Sequence, residues 1–364
     1  MGVWRASPRA GADYPGSFGD LLAWFPDDAA CLDYLDWLRW PDGFVCPRCG
    51  PVAAWRYDDG RWFCSGCSHR VSATAGTIFH RTRTPLTVWF AAAWYMTSEK
   101  NGIAALGLKR QLGIGSEQTA WAMLHRYRTA MVRRGRDRLS GTVEVDETVL
   151  GGPEPGKPGR GALGKTLVEV GVERAGRGFG RCRLQVIEDA SAEVLRRFLL
   201  DHVEPGSTVV SDGWSSYPSA CGGDYVHEPH VVSGSGSKAH ELLPGVHLVA
   251  SLAKRWLMGT HQGGVKPGHV QAYLDEFSFR FNRRRSRARG MLFYRLLEQS
   301  VDARPRTYRS LVANPGVTRK AMPVPPVDKR VRCDSLAGPP LDRPWRKESP
   351  GQASLQHSDG EPFR

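Results

Sequence analysis

Residues 144–152 read EVDETVLGG. In an extended strand Val143, Val145 and Val149 fall on one face and Glu144, Asp146 and Thr148 on the other, because successive side chains point to opposite sides of the backbone. Carboxylates lined up along one side of a strand are costly to bury unless something compensates them, and a divalent cation is one such compensation. The surrounding chain of 364 residues carries 50 Lys plus Arg against 37 Asp plus Glu, a formal net charge of +13. That balance attracts polyanions, of which nucleic acid is the commonest inside cells. A basic chain that aligns its acids is thus a candidate for metal-assisted chemistry on a negative substrate.

Downstream, the strand-like stretches LVEVGVER and RCRLQVIEDA precede a helix at about 191–202. A strand STVVSD, a turn-helix GWSSYPS and a strand YVHEPHVV follow. Three consecutive strands and then alternating helix and strand predict an α/β sheet of mixed strand direction. Asp212 ends the apolar strand STVVSD, where an acid can line a cleft, although Asp before Gly also suits a plain turn. Residues 151–164, GGPEPGKPGRGALG, do not follow a phosphate-loop pattern and read as a flexible connection. In the late helix HLVASLAKRWLMGTH, His247 and Lys254 are seven apart and share a face. The next helix, at about 267–289, buries Tyr273, Phe277 and Phe281 and ends in the arginine block that begins Arg283, Arg284, Arg285.

Upstream, CPRC at 46–49 and CSGC at 64–67 are two C-x-x-C pairs with 14 residues between them, the spacing of a four-thiolate zinc site. Cys46, Cys49, Cys64 and Cys67 leave such an ion no open position, so the site is structural; His69 is an alternative ligand. The remaining cysteines, Cys31, Cys182, Cys221 and Cys333, are scattered singly, which argues against a disulfide scaffold. Residues 85–135 read as helices broken at 113–115. Ser116 is placed to cap the second helix, and Ala120, Leu124, Tyr127 and Met131 form its apolar stripe. A helix, tight turn and second helix is the layout of a helix-turn-helix reader, whose second helix would present Gln118, Thr119, His125, Arg126 and Arg128 to DNA; a plain helical hairpin has the same pattern. The longest apolar run, LTVWFAAAWYM at 86–96, is too short to span a bilayer, and the opening residues lack a signal-peptide core, so a soluble, cytoplasmic, nucleoid-associated protein is expected.

The segments RWPDGFVCPRCG, QTAWAMLHRYRTAM, VEVDETVLGG, SDGWSSY, KRWLMGTHQG and YLDEFSFRFNRR, in this order, resemble the bacterial insertion-sequence transposases of the DDE superfamily that carry an N-terminal zinc ribbon. The resemblance spans roughly residues 18–290. It implies a ribonuclease-H-like catalytic domain with Asp146 and Asp212 as the first two metal-binding acids. His247 falls at the third position, departing from the three-acid pattern, with Glu241 as the alternative and Lys254 as the basic residue that marks the helix. The implied cofactors are structural Zn2+ and two catalytic Mg2+ or Mn2+ ions, an imidazole ligand suiting Mn2+ better. The implied partners are double-stranded DNA, at element ends and target, and a second copy of the chain. The arginines at 283–285 would grip phosphates. The expected layout is a disordered 1–17, helical entry and ribbon at 18–80, a helical DNA-binding domain at 81–138, the catalytic domain at 139–302 and a disordered basic tail from 303. The competing reading is a zinc-ribbon regulator whose sheet domain is not catalytic.

Overall fold

A computed structural model describes residues 8–133, 135–151, 165–230, 239–262 and 264–313. Most of the connection 151–164, the last residues of YVHEPHVV and the tail beyond 313, including Cys333, lie outside the described residues.

The amino-terminal half is built on helices. Ser17 opens α1 (Phe18–Trp24) with a capping box in which its hydroxyl accepts the Asp20 N–H while Asp20 receives the Ser17 N–H. Asp27 caps α2 (Asp28–Arg39) through the Ala30 N–H. Three short antiparallel strands follow, β1 (Ala54–Arg56), β2 (Trp62–Cys64) and β3 (Arg70–Val71), in the order β1-β2-β3. The apolar run 86–96 becomes α3 (Leu86–Ser98), apolar on nearly all sides and therefore buried among other helices. α4 (Ala105–Leu112) stops at Gly113, whose φ of 63° is the left-handed cap that glycine adopts without strain. α5 (Glu117–Ala130) starts after Ser116 as expected, although the Ser116 hydroxyl makes no capping bond. Its stripe of Ala120, Leu124, Tyr127 and Met131 is buried, and the Tyr127 hydroxyl donates to the Trp89 carbonyl at 2.7 Å.

The second half is a five-stranded sheet in the order β6-β5-β4-β7-β8, made of β4 (Thr142–Leu150), β5 (Thr166–Ala175), β6 (Gly178–Val186), β7 (Thr208–Ser211) and β8 (Val226–Pro229). β4, β5 and β6 run antiparallel in sequence order, while β7 and β8 lie parallel to β4 and to each other. Cross-strand partners share a face. Val143, Val145 and Leu167 thus pack with α6 (Ala192–His202) and α7 (Tyr217–Cys221) on one side. Val168, Val170 and Val172 pack with α9 (Pro244–His261) and α10 (Val270–Phe281) on the other. A one-turn α8 (Ala239–Leu242) leads into α9. This is the mixed α/β sheet expected, with the ribonuclease-H-like order.

The chain then returns to the first core. α11 (Arg289–Asp302), grouped by sequence with the sheet, buries Phe293, Tyr294 and Leu297 against α2, α3 and α5. Residues 8–17, expected to lack order, are held there too: Tyr34 donates to the Asp13 carbonyl at 2.6 Å, and Tyr14 packs against Tyr294. Gly290 permits this contact, since a Cβ there would stand 1.9 Å from the Pro15 carbonyl oxygen. Order also continues past 303 into α12 (Tyr308–Ala313), where Leu311 is buried. Across the seam between the two cores, Arg128 of α5 pairs with Glu276 of α10 at 2.8 Å, both fully buried, and the Arg128 guanidinium stacks on Tyr273. No described helix is long and apolar enough to cross a membrane.

Candidate active site and zinc ribbon

The four cysteines converge as their spacing requires. The Cys46–Cys67, Cys49–Cys64 and Cys64–Cys67 sulfurs stand 3.7, 3.3 and 3.6 Å apart, and all four lie within 4.8 Å of one another. Zn–S bonds of about 2.3 Å in a tetrahedron separate sulfurs by about 3.8 Å, so the donor set fits a zinc ion. The turn carbonyls and amides hold the arrangement: Cys46 and Gly50 exchange two backbone bonds, and Ser68 donates to the Cys64 carbonyl. His69 stands outside the group of four thiols.

The acids are assembled by strand register. β4 and β7 are paired with Thr142 beside Thr208, Val143 beside Val209 and Glu144 beside Val210. Carried two residues further, the same parallel register sets Asp212, just past the end of β7, beside Asp146. Each carboxylate is oriented by a backbone amide. The Glu147 N–H donates to Asp146 Oδ1 at 2.8 Å, and the Trp214 N–H donates to Asp212 Oδ1 at 3.0 Å. Asp212 therefore makes the turn its Asp-Gly sequence suggests and still stands at the strand end.

Glu144, two residues before Asp146 and on the same face of the strand, is fully buried and accepts the N–H groups of Gly245 and Val246 at 2.7 and 3.1 Å. Arg174 of β5 supplies its countercharge at 2.8 Å and reaches the Leu242 carbonyl at 3.3 Å. Glu144 thus caps the first turn of α9 with an anion at the positive end of the helix dipole. Gly245 makes the approach possible, because a Cβ would lie 2.9 Å from the Glu144 carboxylate and 2.7 Å from the Phe179 ring. His247 follows in that same turn, and Lys254 projects two turns later, exposed, with its pKa lowered by partial burial. Glu241 lies exposed on α8.

On the opposite face sits a feature the sequence analysis did not single out. Glu147 is in register with Glu169 of β5, and the Tyr217 hydroxyl bridges them, at 3.2 Å from Glu147 and 3.0 Å from Glu169. Burial pushes the Glu169 carboxyl well above the usual carboxylate range, and the charges of Glu147, Asp146 and Asp212 push it further. Tyr217 is raised likewise, burial first. The influence of both Asp146 and Asp212 on Glu169 places all of these acids in one electrostatic neighbourhood. Converging like charges of this kind form a donor set that suits a divalent cation. Among the described residues, the four cysteines are the one group of three or more such ligands already drawn within 4.8 Å of one another.

Several residues assigned to DNA contact have other partners. Arg128 is buried in its ion pair, and His125, 2% exposed, packs against Trp121, so neither is presented by α5. The reason is position along the helix: both lie in the later turns of α5, where α10 packs against it, whereas Gln118 and Thr119 occupy its exposed first turn. Arg126 is half-buried and donates to the Arg306 carbonyl at 2.9 Å. In the arginine block, Arg283 stacks on Phe279 and Arg284 on Phe281, and Arg284 and Arg285 donate to the Phe179 carbonyl of β6. Arg283 and Arg284 therefore fasten the end of α10, with Arg284 exposed.

Two family models match this architecture segment by segment. The transposase zinc-ribbon domain matches residues 26–70, and the ISXO2-like transposase domain matches residues 138–282, together just over half of the chain. The chain belongs to the insertion-sequence transposases with an N-terminal zinc ribbon. The second match contains Asp146, Asp212, His247 and Lys254; the first contains all four cysteines. A transposase acts on DNA, which accounts for the basic balance of the chain. A comparison with curated proteins finds no match.

Proposed function

We propose that this transposase recognises the ends of its own insertion sequence and cuts and joins DNA at a site formed by Asp146, Asp212 and His247. The observation that carries the reading is the β4–β7 register, which, continued, would bring Asp212 past the end of β7 beside Asp146 within β4, together with the Glu144 cap on the first turn of α9, the turn that bears His247. Two divalent cations held by these side chains would activate the attacking oxygen and stabilise the leaving one. The residues of the chain do the positioning. Glu144 and Arg174 fix the angle of α9, the backbone amides of Glu147 and Trp214 orient the two carboxylates, and Lys254 holds a phosphate of the substrate beside them.

In the first reaction water adds to phosphorus and the P–O3′ bond breaks, leaving a 3′-hydroxyl on the element end. In the second that hydroxyl attacks a target phosphodiester and displaces its 3′ oxygen. One P–O bond forms as one breaks in each step, so no external energy source is needed. Joining two ends to one target calls for at least two copies of the chain. Incubating the protein with Mn2+, a duplex bearing the inverted repeats that flank its gene, and a target plasmid tests the reading: joined product is expected. Binding without any metal-dependent cleavage would instead identify a zinc-ribbon regulator.

A further inference from the structure

The burial of His125 and Arg128 and the engagement of Arg126 leave α5 with an exposed amino-terminal end, Glu117, Gln118 and Thr119, that carries no cation of its own. A helix that reads base edges needs phosphate contacts on its flanks to hold it in register. Two other parts of the chain are brought to those flanks. On one side a cleft of about 540 Å³ between the 83–85 segment and the α4–α5 turn is lined by Arg83, Gly113, Ser116 and Thr119. On the other a cleft of about 330 Å³ is lined by Gln118, Thr119, Arg126 and Tyr308. Thr119 borders both, so the reading end of α5 stands between them.

The second flank is built by residues 303–313. The Arg306 carbonyl accepts from Arg126 at 2.9 Å, the Tyr308 ring lies 6.0 Å from that of Trp121, and Leu311 is buried. This stretch, ARPRTYRSLVA, holds three arginines and no acid, and HRTRTP at 80–85 holds two arginines and no acid. Arg83, Arg304 and Arg309 are exposed.

We propose that Arg83 on one flank and Arg304 with Arg309 on the other grip the two phosphate backbones of duplex DNA around the amino-terminal end of α5, so that residues 303–313 complete the DNA-binding surface. The proposal rests on the reading of α5 as the DNA-facing helix. Single positive side chains at phosphates act through charge and not through base identity, which separates them experimentally from Gln118 and Thr119.

The test measures binding of the full chain, at several salt concentrations, to a duplex bearing the flanking inverted repeats and to an unrelated duplex. Arg83→Ala and Arg309→Ala should each weaken both duplexes alike and lower the slope of log K against log salt by about 0.9, the loss of one phosphate contact. Arg309→Lys should restore the slope, and melting temperatures should match the unmodified protein. Gln118→Ala with Thr119→Ala should reduce the preference for the repeat-bearing duplex about tenfold, the loss of one base contact, with the slope unchanged. An unaltered slope in both arginine variants, with preference still lost in the Gln118/Thr119 variant, overturns the flanking surface and leaves the α5 reading in place. Unaltered binding in every variant overturns both.

Discussion

The zinc ribbon and the proposed acid site would both hold metal, but they are assembled at different ranges. The ribbon draws its four sulfurs from two turns within residues 46–67, whereas the acid site takes Asp146 from β4, Asp212 from the end of β7 and His247 from α9. In the first, ligand geometry follows from local chain direction, and the thiols already converge. In the second, it depends on strand register and on one buried carboxylate that docks a helix. A slip of one residue between β4 and β7 would turn one aspartate to the opposite face. The difference shows where each site is vulnerable: the ribbon to loss of a ligand, the acid site to loss of alignment as well.

Substitutions of the ligands should give the largest effects and separate the two sites. Asp146→Ala or Asp212→Ala should reduce cleavage and joining to background while leaving duplex binding intact and the melting temperature unchanged or higher, because repulsion among the acids is relieved. Cys64→Ser should instead release zinc and unfold the ribbon, since structural zinc contributes about 10–16 kcal/mol of apparent binding free energy coupled to folding. Metal analysis and hydrogen exchange over residues 44–71 would read this out. If the Asp146 variant unfolded as the Cys64 variant does, the contrast between a structural and a functional site would fail.

The next largest effect lies at the seam between the two cores. Arg128→Met leaves buried Glu276 only the 3.8 Å ion pair with Arg280 and should destabilise the protein by up to about 3–5 kcal/mol, while the double variant Arg128→Met/Glu276→Leu should recover most of the loss. Denaturant titration measures both. Recovery would show that the pair joins the cores by being mutually satisfied and not by net attraction.

Alignment of the acid site can be perturbed without touching a ligand. Glu144→Ala should lower strand cleavage about a hundredfold and raise the Mn2+ concentration needed for half-maximal rate, because an ångström-scale displacement of a reacting group has that magnitude. Glu144→Gln, which keeps an acceptor for the Gly245 and Val246 amides, should restore part of the rate. Unchanged metal dependence in both variants would remove Glu144 from the positioning role.

The effect that is absent at neutral pH and grows only in acid is a pH dependence from the buried histidines. Burial beside Arg128 and Arg280 pushes His261 down to about 3, and His202 is lowered likewise to about 3 beside the arginines of its own neighbourhood. Their ordinary value is about 6.5. The unfolded chain therefore binds protons that the folded one refuses, so stability falls as pH drops from about 6.5 toward 3. Each ring contributes a slope of at most about 1.4 kcal/mol per pH unit. Thermal melting of a His261→Gln variant should show a shallower acid limb, and an unchanged limb would count against its buried neutral state.

Much of this was legible in advance for reasons that particular residues make plain. Two C-x-x-C pairs can close on a metal in few ways, and the alternation around Val143 and Val145 leaves Glu144 and Asp146 no choice of face. Arg128 misled because a basic residue on a helix with an exposed amino-terminal end looks available, and only the packing of α10 shows that Glu276 waits opposite. Glu169 gave a weak signal, one acid within LVEVGV, and its partner Tyr217 lies 48 residues away. Residues 8–17 and 303–313 have the composition of loops, yet Tyr14 and Leu311 anchor them in a core assembled from distant helices.

The sequence by itself determined the ribbon, the strand-and-helix content of the sheet and the identity of the candidate acids, because those depend on spacing and on the alternation of side chains along a local backbone. Tertiary structure alone decided the parallel register of β4 on β7, that Glu144 fastens the first turn of α9 and that α11 belongs with the helices of the first half. Register and docking are set by contacts between segments far apart in the chain, and such contacts leave no period in the sequence to read.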